Sequence, residues 1–534
     1  MRLPRRELLK LTAAAAAGSV VGCGSDSPAD PVRSFEDNLL HALPTVSSDR
    51  ILLKTSFIDA LSDEPELFVD GIGIRGQMTD SEAQHFAFDV SGLEPDRQYE
   101  LDLRVGNTRQ AEPWTLRTFP ARDAEADSVR ILAFTCAGGH EAMPIHLSTS
   151  VRRRMLQRGL SFSPDFAIAL GDHVYWDLTL GVLPTILGNS DLAREIAGTF
   201  DRSSPVLGTD NEAVLKRAVD NQIAELYGTL FRSVPVFFVR DDHDYFENDE
   251  YREGAGGEPA QFTFPPSDFS VELARATQLL YYPEFLPDPT RPGTLPGTGA
   301  ADRGAGLSEA FGTIRYGKLL EALLYDCKGF VSLDGQEANY VPADVEDWLV
   351  VRMRDSDAAQ LFNVPSSPVG FSAGKFLEWY PDVLVDGALT DEAPKAGWQS
   401  GWLAQHDRLL IAASAMNKRP IFLGGDIHSH AETHILRSGE HDFSTNPIAS
   451  IIAGTPGTFG LGWPSSGRGT VATPSVVLEV DEKLPALEEN GFNIIDVTPD
   501  TTTVRSFRFN GELDDPSSID TLEPFREVVL PRTT

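Results

Sequence analysis

The stretch Gly171-Asp-His-Val-Tyr-Trp-Asp177 brings two carboxylates, an imidazole and a phenol together within seven residues. It follows Asp165-Phe-Ala-Ile-Ala-Leu170, a short and mostly apolar run that predicts a buried strand. Such a strand delivers Asp172 into a turn, with Tyr175 three residues later. A carboxylate and a phenol at the end of a buried strand can converge on one metal ion. For the Gly-Asp pair alone, a polar turn that only caps the strand is the alternative.

Three more apolar runs end in polar residues of the same kind. Val129–Thr135 ends at Cys136, Val234–Val239 leads into Arg240-Asp-Asp-His-Asp244, and Ile421–Leu423 leads into Gly424-Gly-Asp-Ile-His-Ser-His430. In open α/β sheets, ligands bind beyond the carboxyl ends of the strands. The four strand ends therefore predict one crevice lined by Cys136, Asp172, Asp242, His243, Asp426 and His428.

The two halves of the chain differ in their pattern. From about Ser128 onward strands alternate with helical stretches, for example Asn211–Leu230 and Ser267–Tyr282, which is typical of a layered α/β domain. Residues from about 50 to 120 show short alternating segments between turn residues, which predicts a small all-β module. Within that module, Leu93–Tyr99 matches the tyrosine corner of fibronectin type III sandwiches.

Residues 1–22 indicate an export signal rather than part of the fold. Arg5-Arg6 opens a twin-arginine pattern, and the Ala-rich stretch Leu11–Val21 is too short to span a membrane. Val20-Val-Gly-Cys23 resembles a bacterial lipobox. The pattern therefore predicts export by the twin-arginine route, lipidation of Cys23 and a tether over residues 23–34. The protein would then lie in the periplasm or at the cell surface, anchored to a membrane by lipid.

The net charge and the cysteine content limit the possible binding partners and disulfides of the protein. The formal net charge of −34 argues against nucleic acid or an anionic membrane surface as a partner, because both would repel the protein. Such a charge is compatible with a protein that holds multivalent cations. After Cys23, only Cys136 and Cys327 remain, and a disulfide between them is left open.

Together these motifs make the chain resemble the alkaline phosphatase D (PhoD-like) branch of the calcineurin-like metallophosphoesterases. The resemblance covers essentially the whole chain. It rests on FTC at 134–136, GDHVYWD at 171–177, DDHDYFEND at 241–249, YYPEFLP at 281–287 and GDIH at 425–428. It implies an α/β fold, with an α/β/β/α metallophosphatase sandwich over residues 126–534 preceded by a fibronectin- or Ig-like all-β domain over residues 35–125.

The resemblance also implies a binuclear metal site. Fe³⁺ would be held by Cys136, Asp172, Tyr175 and His428, and Ca²⁺ by Asp172, Asp242 and Asp426, with Asp172 shared. Thiolate, phenolate and imidazole suit a transition metal and carboxylates suit a hard divalent ion, although manganese, zinc or a further Ca²⁺ are alternatives. Candidates for either a metal ligand or a hydrogen-bond partner of a ligand are Asn363, Asn248, Asp177, Asp241 and His430.

The implied reaction is hydrolysis of phosphodiesters or phosphomonoesters by a metal-bridged hydroxide, with Asp172 and His243 as the catalytic residues. His243 is predicted to contact the phosphate or to protonate the leaving alkoxide, and support of a ligand by a hydrogen bond is its competing role. Two alternative functions stay open. One is a phospholipase-like phosphodiesterase on lipid substrates, and the other is a catalytically silent, calcium-dependent surface binding protein.

Two segments depart from the family pattern. Lys328 stands where the family commonly has an arginine, and a lysine offers a point charge in place of a planar fork. Gly397-Trp-Gln-Ser-Gly-Trp402 stands where a Trp-Asp-Gly-Tyr pattern is expected, so a carboxylate that could contact an additional calcium ion is missing. These departures predict a changed substrate choice with the main ligands retained.

Overall fold

A computed structural model of the chain describes residues 38–143, 145–176, 196–245, 251–252, 261–262, 264–299, 303–457 and 462–533. Ser34–Thr534 form one compact unit. Among the helices in these ranges, none has the length and apolar character needed to cross a membrane. The predicted signal over residues 1–22, the tether over residues 23–34 and the lipidation site Cys23 lie outside the described residues.

The first described part of the chain is all β, as its alternating pattern predicts. Its two antiparallel sheets have the strand orders β1-β2-β6-β5 and β4-β3-β7-β8, with β9 paired to β7. The predicted tyrosine corner forms, because the Tyr99 hydroxyl accepts a hydrogen bond from the backbone N–H of Glu94 at 2.6 Å. The strands are β1 (Leu39–Val46), β2 (Arg50–Phe57), β3 (Pro65–Val69), β4 (Ile72–Arg75), β5 (Gln77–Met78), β6 (His85–Ser91), β7 (Gln98–Val105), β8 (Thr108–Arg109) and β9 (Trp114–Arg117).

Strands and helices alternate after residue 128. The strands are β10 (Val129–Thr135), β11 (Phe166–Leu170), β12 (Val236–Val239), β13 (Tyr251–Arg252), β14 (Gln261–Phe262), β15 (Phe311–Tyr316), β16 (Leu320–Tyr325), β17 (Gln360–Pro365), β18 (Phe371–Ser372), β19 (Val383–Val385), β20 (Ala388–Thr390), β21 (Ile421–Gly424), β22 (His430–Ser438), β23 (His441–Asp442), β24 (Ile448–Ile452), β25 (Thr473–Pro474), β26 (Leu478–Leu487), β27 (Asn490–Val497), β28 (Thr501–Phe509) and β29 (Arg526–Pro531). The described α-helices are α1 (Thr149–Leu160), α2 (Asp210–Val219), α3 (Ala224–Tyr227), α4 (Asp268–Tyr281), α5 (Ala343–Asp355), α6 (Ser400–Ser414) and α7 (Ser465–Arg468).

Several helices begin at a side chain that satisfies a free backbone N–H. The side chains of Ser148, Thr209 and Ser267 accept hydrogen bonds from the first turns of α1, α2 and α4. The predicted helical stretch Asn211–Leu230 is divided into α2 and α3, and the side chain of Gln222 between them binds the backbone of the loop around Tyr175.

Two sheets build the larger part of the fold. The first has the order β12-β11-β10-β27-β28-β29, and the second has the order β15-β16-β17-β21-β24-β22-β23, with β26 paired to β22. One apolar cluster joins the two sheets and includes Ile131 and Ile168 of the first with Val364 and Leu423 of the second. A second cluster joins the first sheet to α1–α4, and a third joins the second sheet to α5 and α6. The architecture is a mixed α/β fold.

The strand directions bring the predicted polar ends together. β10, β11 and β12 are parallel, and so are β16, β17, β21 and β24. The parallel strands β10, β11, β12 and β21 are buried and mostly apolar, as expected for strands covered on both faces. Cys136, Asp172, Asp242 and Asp426 follow the carboxyl ends of β10, β11, β12 and β21.

Candidate metal centre

Four predicted ligands have a backbone conformation that L-residues rarely adopt. The φ angles are 49° at Cys136, 52° at Asp172, 71° at Asp426 and 45° at His428. Such conformations cost about 1–3 kcal/mol each and persist where the surrounding structure enforces them, commonly at functional sites. Gly171 precedes Asp172 with a φ of 74°, and a Cβ there would collide with the side chain of Asp241. The strand ends are therefore shaped to aim these side chains at one another.

The predicted ligands of the first ion lie together. Cys136, Asp172 and His428 are buried, and each offers a donor atom within 4.8 Å of the other two. The Tyr175 hydroxyl lies 2.8 Å from Asp172 Oδ2 and 2.8 Å from His428 Nε2. Because thiolate, phenolate, imidazole and carboxylate donors converge here, the set suits a transition metal.

A second group consists of carboxylates. Asp241, Asp242 and Asp426 have donor atoms within 4.8 Å of one another, and so do Asp172, Asp242 and His243. Asp172 and Asp242 thus connect this group to the first set of donors. Asp241, predicted as either a ligand or a hydrogen-bond partner, lies in the same group as two predicted calcium ligands.

Burial and mutual repulsion disfavour the negative forms of most of these groups. Burial raises the pKa values of Asp241 and Asp242, and neighbouring carboxylates, Asp172 among them, raise them further. Burial and the Asp172 charge also raise the pKa values of the Cys136 thiol and the Tyr175 phenol. Asp172 differs: burial raises its pKa, but the His243 charge, His428 and the Tyr175 hydrogen bond together hold that pKa below its usual range. A bound cation would stabilise all the deprotonated forms at once.

Several buried carboxylate oxygens lack a hydrogen-bond partner in the described part of the chain, and this is a second observation that fits a bound metal. Within the described residues, Asp172 Oδ1, both carboxylate oxygens of Asp241 and Asp426 Oδ2 are buried without a hydrogen-bond partner. Buried polar atoms in native proteins almost always have a partner, so four such oxygens at one place need an explanation. Metal coordination supplies one, and the donor types fit a transition metal beside a hard divalent cation.

Thr135 connects three of the strand ends, although sequence reasoning assigned it no role. Its hydroxyl donates to Leu170 O at 2.5 Å and accepts from the backbone N–H of Asp426 at 3.2 Å. The same oxygen lies 3.1 Å from Cys136 Sγ. A Cβ at Gly425 would collide with this hydroxyl, so the glycine permits the close approach. Thr135 therefore positions a thiol and a carboxylate from two different strands.

Replacing Thr135 with valine is expected to weaken metal binding about 10- to 100-fold, the usual cost of losing a hydrogen bond that orients metal ligands. Valine keeps the shape and removes the hydroxyl. Thr502→Val is the matched control, because the buried Thr502 hydroxyl has no hydrogen-bond partner among the described residues. Metal affinity measured by competition with a chelator checks this prediction, and equal affinities of the two variants would refute the role of Thr135.

Two other side chains hold the loops that carry the ligands. The Asp244 carboxylate accepts hydrogen bonds from the backbone N–H groups of His173 at 2.8 Å and Asp241 at 2.9 Å, which connects the ends of β11 and β12. Gln222 accepts from the Tyr175 N–H at 2.7 Å and donates to the Tyr175 carbonyl at 2.9 Å. Asp244 belongs to the motif Asp241-Asp-His-Asp244, which is visible in the sequence. Gln222 lies in a predicted helical stretch whose neighbouring residues do not indicate its role.

The remaining candidates fall in three different places. Asn363 donates to Met353 Sδ at 3.6 Å, and its neighbours Phe362 and Val364 face the other sheet. The Asn363 side chain therefore lies on the helix-covered face of its sheet, a placement that does not support a role as ligand. His430 packs on Phe525 and on the backbone at Gly454. Asp177 and Asn248 lie outside the described residues.

Comparisons with known proteins bear on the family and on the fold. A family model described as PhoD-like phosphatase matches residues 133–506. A solved structure described as "Structure of PhoD" has a TM-score of 0.60 at 12% identity, covering 92% of this chain and 90% of that chain, and at this identity it shows the fold alone. A type III pullulan hydrolase from Thermococcus kodakarensis, at a TM-score of 0.14 and 8% identity over 72% of this chain and 60% of that chain, carries no argument. No curated protein matches the chain.

Proposed function

The chain belongs to the family of PhoD-like phosphatases, and from this premise we propose that it hydrolyses phosphodiesters, phosphomonoesters or both at a metal centre. The observation that carries the proposal is the convergence of Cys136, Asp172, Tyr175 and His428 beside a buried group of carboxylates. We interpret the two sheets and their helices as the metallophosphatase sandwich that the family resemblance implies.

The proposed metals are those that the family resemblance implies, and the donor atoms suit them. Cys136, Asp172, Tyr175 and His428 would hold iron, and Asp172, Asp242 and Asp426 would hold calcium, with Asp241 close to the second ion. Manganese or zinc could take either place. Bound metals would supply Lewis acidity toward the phosphoryl group and would lower the pKa of a water nucleophile.

The side chains around the donors have separate tasks. Asp172 shares its carboxylate between the two groups and so fixes their separation. His243 is only partly buried, and its ring centroid lies 4.2 Å from that of Tyr175. It is therefore accessible to a substrate at the edge of the metal centre, where it would give a proton to the leaving alkoxide.

Export is part of the same proposal. The twin-arginine pattern and the lipobox-like Val20–Cys23 support a mature protein that is anchored by lipid on Cys23. A lipid-anchored enzyme would meet phosphoesters at the membrane or in the cell envelope.

The proposal is tested with the mature chain loaded with iron and calcium. Three substrates are compared: bis(p-nitrophenyl) phosphate, p-nitrophenyl phosphate and a long-chain phosphatidyl ester in vesicles. Turnover of either nitrophenyl substrate supports the phosphoesterase function. Strong turnover of the phosphatidyl ester with little of the small diester favours the phospholipase-like alternative. Tight calcium binding without hydrolysis of any phosphoester favours a surface binding protein and refutes the enzyme.

A further inference from the structure

Two buried lysines lie against the group of carboxylates formed by Asp241, Asp242 and Asp426. Lys375 Nζ donates to Asp426 Oδ1 at 2.5 Å, with each side chain 4% exposed. Lys328 Nζ lies 3.8 Å from Asp241 Oδ1, with both side chains fully buried. Two ammonium groups therefore pair with two of the three carboxylates.

Hydrogen bonds to the residues just before Lys375 fix the loop that carries it. The loop follows β18, and Gly374 has a φ of 69°. The Glu378 carboxylate accepts hydrogen bonds from the Ala373 N–H at 2.6 Å and the Ser372 hydroxyl at 2.9 Å. Arg468 donates to the carbonyls of Ala373, at 2.8 Å, and Gly374. Because the backbone just before Lys375 is held in this way, its ammonium group is directed at Asp426.

The transition-metal donors around Cys136 and the carboxylates around Asp426 differ in how much of their negative charge is balanced by lysine or arginine. Within the described residues, Cys136, Asp172 and His428 make no ion pair with a lysine or arginine, and the ion pair there joins His428 to Asp172. The three carboxylates of the other group carry −3 when ionised and face two ammonium groups. A cation entering that group would meet carboxylates whose charge two ammonium groups already balance in part, and it would also be repelled by Lys375 at close range.

We propose that Lys375 is a resident cation of the carboxylate group, so that this chain binds one metal ion tightly, at Cys136, Asp172, Tyr175 and His428, and a second ion only weakly. The inference rests on the metal centre of the proposed function. Within the described residues, Asp426 Oδ2 and the two Asp241 oxygens make no hydrogen bond and so leave donors for the second ion, and Lys375 therefore weakens its binding without excluding it. The lysine also keeps a positive charge beside the first ion when the second is absent.

The test is metal stoichiometry and affinity rather than turnover. The mature wild-type chain is loaded with iron and calcium and dialysed, and its metal content is measured by mass spectrometry. Calcium and manganese are then titrated by calorimetry into wild type and Lys375→Met. We expect one retained metal equivalent in the wild type, and at least about tenfold tighter binding of the second ion in K375M, because a nearby positive charge is removed.

Two further variants separate charge from packing. Lys375→Arg keeps the charge and is expected to bind the second ion as weakly as the wild type. Lys418→Met removes another buried lysine, which lies just before β21 and donates to the Ser356 carbonyl at 3.0 Å. This variant should leave the affinities for the first and the second metal ion unchanged. Lys375→Gln replaces K375M if circular dichroism shows that K375M does not fold.

Two outcomes would overturn the inference. A wild type that retains two equally tight ions would contradict it and leave the proposed function intact. A folded K375M or K375Q that binds the second ion no more tightly than the wild type would also contradict it. Failure of the wild type to retain any metal would refute the metal centre itself, and this result is distinct from the other two.

Discussion

Replacing Asp172 with asparagine is expected to lower kcat/KM for bis(p-nitrophenyl) phosphate by about 1000-fold or more. Asp172 lies within 4.8 Å of donors in both groups, Cys136 and His428 on one side and Asp242 and His243 on the other. Loss of its charge would weaken both metal positions, and each bound metal contributes several kcal/mol of stabilisation to the transition state. A loss of about 4 kcal/mol corresponds to the expected factor.

The matched control for this variant is Asp165→Asn, at the amino end of the same strand. The Asp165 carboxylate accepts a hydrogen bond from the Arg130 backbone N–H at 2.7 Å, away from the metal ligands at the carboxyl end. D165N should keep its activity within about twofold of the wild type, since it changes no group at the reacting centre. Metal content of both variants is measured beside kinetics. If D172N were as active as D165N, Asp172 would have no bridging role.

His243→Gln is expected to reduce hydrolysis of an alkyl phosphoester by about 10²- to 10⁴-fold, the usual contribution of a general acid. Hydrolysis of the p-nitrophenyl ester should fall by about tenfold at most, because nitrophenolate leaves without a proton. His243 is partly exposed beside Tyr175, in a position to contact a substrate as well as the carboxylates. The leaving-group dependence therefore reports proton donation directly.

The control for His243 is His441→Gln, which changes an exposed histidine on β23. H441Q should hydrolyse both esters at the wild-type rate. Equal losses with the alkyl and nitrophenyl esters in H243Q would contradict proton donation. That result would assign His243 to the competing role, a hydrogen-bond partner that orients a ligand.

Sequence patterns were sufficient where a structure depends on local chemistry. The apolar run Val129–Thr135 becomes β10 with the predicted bounds, because buried parallel strands need continuous apolar residues. The tyrosine corner depends on a few neighbouring residues and forms as predicted. Cys136, Asp172 and Tyr175 follow parallel strands of one sheet and His428 follows a parallel strand of the other sheet, and these carboxyl ends meet at one site.

The contacts that loops and helix ends make with distant segments were not predictable from the sequence. The pairing of Lys375 with Asp426 depends on a loop held by Arg468, far along the chain. Likewise, Gln222 reaches the Tyr175 backbone only because the predicted single helix divides between α2 and α3. Asn363, predicted as a metal ligand or as a hydrogen-bond partner of one, lies in β17, where the alternation of the strand places its side chain against Met353. Each of these features depends on the packing of distant segments.

The most direct test of the metal-dependent phosphoesterase is turnover as a function of bound metal. The mature chain is stripped with a chelator, iron and calcium are returned in steps, and hydrolysis of bis(p-nitrophenyl) phosphate is measured against metal content. The account predicts negligible turnover in the stripped protein and a rate that rises in proportion to the tightly bound ion. Full turnover without metal, or a folded and fully loaded protein that is inactive on every phosphoester tried, would contradict it.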